Sequence, residues 1–238
     1  MPVNPSPSRR TRWWTVALLS AAFILGSWGV GAAAPDDALI PLERYSSTKA
    51  KTLASTHRRD MVRFYEHVYW CLPWLAIRNH TLGFPKRPGV EGDERYFSVM
   101  IDVDQTDDGS FAAMSRERRV SAMFSRYGLH ILRQMLAMTK AASDDNVAGF
   151  SVALSWPKPG LPATQPVSET IALFVDKVSL AEFLAKRLPT ADFVSRAKLS
   201  VFDGRDPVGL VKLDVWEDTF NSTYKLKNYE APKEAKCS

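Results

Sequence analysis

Hydrophobic and polar positions alternate along the chain with two periods, and the period changes at identifiable punctuation. From Thr48 to Leu72, Leu53, His57, Met61, Phe64, Val68 and Leu72 recur every three or four residues. That spacing places them on one face of a helix, which Pro73 ends because proline lacks an amide donor. The stretch from Leu82 to Arg95 is rich in glycine and proline and reads as a connecting loop. From Tyr96 to Asp104 the period drops to two. Phe97, Val99, Ile101 and Val103 face one way, and Ser98, Asp102 and Asp104 the other.

Turn chemistry at Thr106-Asp107-Asp108-Gly109 leads to Ser115, which is expected to cap a long helix reaching about Lys140. Its inner face carries Val120, Phe124, Tyr127, Ile131, Met135 and Met138. Strands are predicted over Phe150 to Trp156 and Thr170 to Val175, separated by a proline-rich loop. A second helix begins at Ser179, breaks at Pro189 and resumes to Ala197. Leu199 to Phe202 and Leu210 to Trp216 read as further strands joined through Asp203-Gly204. The order is βαββαβ plus one extra strand, the pattern of an α+β, ferredoxin-like core. This gives residues 46–81 as a helical segment, 82–95 as a linker loop, 96–217 as the α+β domain and 218–238 as a polar tail.

The amino terminus follows a different rule. Arg9, Arg10 and Arg12 precede a 22-residue uncharged run from Trp13 to Ala34, and Asp36 and Asp37 follow it. Basic residues before and acids after orient such a run with its start in the cytoplasm. Residues 1–34 therefore read as a signal peptide or an N-terminal membrane anchor. Gly31 to Ala34 suit cleavage after Ala32 or Ala33, whereas the run, at about 1.5 Å per residue, is also long enough to span a bilayer. Either way the bulk of the chain is expected outside the cytoplasm: soluble in the periplasm after cleavage, or anchored in the inner membrane.

The leader also changes how charge and cysteine count are read. The net charge is +5, and three of those charges are Arg9, Arg10 and Arg12, which leaves +2 for the remainder. That balance gives no footprint for nucleic acid. Two cysteines in 238 residues exclude a four-cysteine metal site. In an oxidising compartment Cys71 and Cys237 are able to pair, although Cys71 also reads as a small buried apolar residue.

Three features carry candidate chemistry. Asp102-Val103-Asp104-Gln105-Thr106 ends a strand, with two carboxylates two residues apart on one sheet face. The motif resembles the first motif of haloacid-dehalogenase-type phosphatases. That resemblance implies Asp102 as nucleophile, Asp104 as acid and base, and magnesium held by both. It covers five residues and departs from the family in the acids that follow Thr106. The histidines lack metal-ligand spacing; His57 reads as a core residue and His130, on the polar side of its helix, as exposed. Trp70 and Trp74, either side of Pro73, are able to form a ligand wall, but a core cluster explains them better.

The third feature is a basic stripe. Arg116, Arg119, Arg126, Arg133 and Lys140 fall within a sector of about 120° at 100° per residue. The last four repeat every seven residues along about 32 Å of straight helix. The stripe suits anionic lipid head groups or an acidic envelope protein. The leading expectation is a non-catalytic binding or interaction module of the cell envelope with no cofactor; the alternative is a magnesium-dependent phosphatase centred on Asp102 and Asp104.

Overall fold

The computed structural model describes residues 35–104, 109–161, 167–209, 211, 213–215 and 237. A helical turn, α1 (Pro35–Ala38), precedes α2 (Thr48–Thr56) and α3 (Arg58–Cys71). Ser47 caps α2 by accepting the Ala50 amide. The apolar stripe thus runs over two helices meeting at His57, whose backbone is not helical. A short strand, β1 (Leu75–Ile77), leads through the 82–95 segment to β2 (Arg95–Val103). That segment does more than connect. Leu82 and Phe84 are fully buried, and Gly83 and Lys86 bridge to Ser98 and Arg95.

After β2 come α4 (Gly109–Ala112) and α5 (Arg116–Met123), the latter capped by Ser115. The helix continues as a π-helical turn over Phe124–Gly128, then as α6 (Leu129–Met138). Gly128 belongs to this turn by necessity, since a Cβ there would lie 2.7 Å from the Phe124 ring. A 3₁₀ turn, Lys140–Ser143, leads to β3 (Val147–Pro157) and β4 (Ser168–Asp176). Asp176 caps α7 (Lys177–Leu184), which is followed by α8 (Thr190–Arg196), β5 (Lys198–Asp203) and β6 (Asp206–Pro207).

The fold is α+β, with a six-stranded, mostly antiparallel sheet whose strands lie in chain order. Only β2 and β3 are parallel, joined by the helical crossover that a parallel pair requires. This corrects the ferredoxin-like expectation. In a split βαβ arrangement another strand separates the two parallel ones. Here β3 gives one edge to β2 and the other to β4, so no strand can enter between them. Gly149 permits the tight β3–β4 approach, because a Cβ there would meet the Val175 carbonyl oxygen at 2.1 Å. The extra strand expected at Leu210–Trp216 is also corrected. Its described residues, Val211 and Leu213 to Val215, are not in a strand, and β5 pairs instead with the two residues of β6.

Register puts one apolar face together. Phe97, Val99 and Ile101 lie beside Phe150, Val152 and Leu154, which lie beside Val175, Leu173 and Ile171. All nine are at most 2% exposed. They share one core with Phe64, Val68, Phe124, Ile131 and Met135 from the helices. Each such side chain contributes about 1.5–3 kcal/mol by leaving water. Cys71 and Cys237 form a disulfide, which ties the last turn of α3 to the penultimate residue across 166 positions.

Candidate functional site

The basic stripe does not form one face. At the start of α5, Arg119 is turned toward the sheet, where Nε and Nη2 donate to both oxygens of Glu169 at 2.8 and 2.5 Å. Glu169 is wholly buried and also accepts the Trp156 indole N–H at 2.9 Å. The bond to Glu169 raises the Arg119 pKa, over the opposing effect of burial. Arg116 reaches Asp203 at 2.6 Å, beside Lys158 at 2.7 Å. Lys158 and Arg116, partly offset by burial, hold the Asp203 carboxyl below its ordinary range. These two arginines are structural cations.

Between them and the rest of the stripe lies the π turn, whose i→i+5 bonds break the constant angular step of an α-helix. Beyond it, Arg133 and Lys140 are exposed, while Arg126 is half-buried with its guanidinium 5.6 Å from the Tyr127 ring centre.

Asp102 is held by Arg78, whose Nε donates to Oδ2 at 3.1 Å and whose Nη2 donates to Oδ1. Both carboxylate oxygens are therefore engaged by one cation. The Asp104 amide donates to the Trp74 carbonyl at 2.9 Å. Gln105 and Thr106, the rest of the motif, lie outside the described residues. A mostly antiparallel sheet also differs from the doubly wound parallel sheet that the phosphatase resemblance implies. Among the described residues, no three His, Cys, Asp or Glu side chains gather in a way that could hold a metal ion.

His57 is buried at the α2–α3 junction, as a core histidine should be. Its Nε2 lies 2.9 Å from Asp144, its Nδ1 3.7 Å from Asp60, and its ring packs on Phe84. Asp144 sits below its ordinary pKa through that bond to His57. Asp60 is also lowered: burial opposes the shift, but the Lys140 amide and Arg63 outweigh it. Each member of the cluster has a partner, so the arrangement pins α3 to the segment before β3.

A cleft of about 70 Å³ opens where the end of α3 meets the π turn, lined by Leu72, Trp74, Leu75, Arg126, Tyr127 and His130. Trp74 is thus a wall of this cleft, and Trp70 is 58% exposed; neither is core. His130, expected on the surface, is half-buried. Its Nε2, the Arg126 Nε and the Nε2 of His67 are buried and have no hydrogen-bond partner among the described residues. Unpaired buried polar atoms are rare in folded proteins, and two of these three belong to residues that line the cleft. His67 is near enough to His130 to lower its pKa. Burial, then His67, Arg133 and Arg126, push His130 down to about 4. Burial alone lowers His67. Tyr127 is pushed up to about 12 by burial, against Arg126 and with Asp104, so it stays a phenol.

Sequence reasoning missed this cleft because its walls come from three segments and its shape depends on the π turn. The Trp74 and Arg126 signals were present, but nothing in the spacing joined them. Set against known proteins, the chain matches no family model, no curated relative and no solved structure.

Proposed function

We propose that this chain is an exported, periplasmic protein of the cell envelope that binds a small or acidic partner rather than catalysing a reaction. The observation that carries the reading is the Cys71–Cys237 disulfide. Structural disulfides persist in oxidising compartments and are reduced in the cytosol. The asymmetric charges around residues 13–34 support the same assignment. Among the described residues no helix is long and apolar enough to cross a membrane, and the leader lies outside them. Residues 1–34 serve as a signal peptide cleaved after Ala32 or Ala33, with a retained anchor as the second fate.

Binding rather than catalysis is supported by how the acids are used. Asp102, Glu169 and Asp203 are each neutralised by arginine or lysine. Partly or fully open cations remain at Arg126, Arg133 and Lys140, and these are where an acidic envelope protein or anionic head group would dock. Protease added to spheroplasts tests the location. Digestion of the intact chain before lysis is expected; protection until the inner membrane is broken would overturn the assignment.

A further inference from the structure

We infer that the cleft between the end of α3 and the π turn binds the carboxylate of a small apolar or aromatic acid. The inference rests on the binding-module reading and gives that module its ligand chemistry.

Four observations converge on the class of ligand. First, Arg126 and His130 both line the cleft, and each carries a buried nitrogen without a hydrogen-bond partner among the described residues. Second, the cleft offers a single lining cation. Arg126 is fixed in its charge, whereas His130 is kept neutral, and Arg133 nearby is exposed. One guanidinium in a half-buried setting balances a monoanion, and its planar fork fits a carboxylate. A doubly charged phosphate would leave one charge uncompensated, close to Asp104, whose field is felt at Tyr127.

Third, the remaining walls are apolar or aromatic. Leu72, Leu75 and Trp74 offer a surface for a hydrocarbon or ring attached to the head group. Fourth, the volume of about 70 Å³ holds several waters or one small polar head group, and the body of the ligand would extend along Trp74 toward the mouth. The π turn is what makes the arrangement. It places Arg126 and His130 at the same opening, and such turns recur at functional sites.

Titration of the folded, disulfide-linked protein with benzoate, benzyl alcohol and inorganic phosphate tests this, read by calorimetry and by the imidazole resonances of His130. Saturable benzoate binding that shifts those resonances is expected, with benzyl alcohol and phosphate at least tenfold weaker. Arg126→Gln should lower benzoate affinity at least tenfold, Trp74→Ala should lower it several-fold, and Lys198→Gln, at an exposed position on β5, should leave it within about twofold. The resonance shift in the unaltered protein keeps the test valid if Arg126→Gln fails to fold. Phosphate binding as tightly as benzoate, benzoate binding undiminished in Arg126→Gln, or no saturable benzoate binding would each overturn the inference. Vesicles of phosphatidylglycerol separate that failure from failure of the parent reading. Salt-sensitive vesicle binding lost in Arg133→Gln, without benzoate binding, refutes the cleft's ligand but keeps the binding module.

Discussion

Replacing Arg119 by Met should destabilise the protein by about 3–5 kcal/mol, the cost of stripping one partner from a buried ion pair. The size follows from what the change leaves behind. Glu169 is fully buried on the apolar face of β4 and would keep only the Trp156 N–H at 2.9 Å and the Arg116 Nε at 4.0 Å. Glu169→Gln should cost less, because Arg119 has partial access to water and also donates to the Met114 carbonyl. The double change Arg119→Met with Glu169→Leu removes both charges and leaves chiefly the Trp156 N–H unsatisfied, a cost of about 1–3 kcal/mol. Urea unfolding at neutral pH, with the disulfide intact, gives all three numbers. If Arg119→Met costs no more than Arg133→Met, within about 0.5 kcal/mol, then Arg119 is a surface residue and the account of the stripe is wrong.

Phe124→Ala should cost about 3–5 kcal/mol, since Phe124 is 1% exposed and packs against Gly128 within the π turn; a loss under 1 kcal/mol in urea unfolding would mean the helix is rotated differently. Stability should fall in two stages on acidification. Between about pH 6.5 and 4 the unfolded chain takes up the proton that folded His130 refuses, a loss on the order of 3 kcal/mol that His130→Gln abolishes. Below about pH 4 the depressed carboxyls of Asp60, Asp144 and Asp203 withdraw their contribution, because protons then bind the unfolded state first. A single transition at pH 3–4, unchanged by His130→Gln, would contradict the burial of His130. Reducing the disulfide, or Cys71→Ser with Cys237→Ser, should cost up to about 5 kcal/mol in the chain-entropy limit for a loop of 166 residues; an unchanged melting temperature would show the link carries no constraint.

The strands were legible in the sequence because each half-buried strand alternates, and β2, β3, β4 and β5 all overlap their expected spans. Their pairing was not. A split sheet and a sheet in chain order use the same βαββαβ string, and the choice is made by which edges meet, as Gly149 against Val175 illustrates. The basic stripe does not hold together as one face, for two physical reasons. Its helical wheel assumed a constant 100° per residue through Phe124–Gly128, where the helix is π. It also ignored Glu169, which sits one residue before the strand expected to start at Thr170 and so escaped notice as a buried acid facing the helix. His130 was misplaced by the same phase error. The Cys71–Cys237 link lay in the sequence only as two residues able to pair, and three-dimensional proximity, with Cα atoms 5.6 Å apart, is what joins them.

The most direct test of the central claim, an exported and disulfide-tied binding protein, is peptide mapping of the chain taken from its own cells. Thiols are blocked at the moment of lysis and digestion is done without reductant. One linked species joining the Cys71 and Cys237 peptides is expected, with neither cysteine carrying the blocking group. Recovery of both cysteines blocked, as separate peptides, would place the chain in a reducing compartment and contradict export.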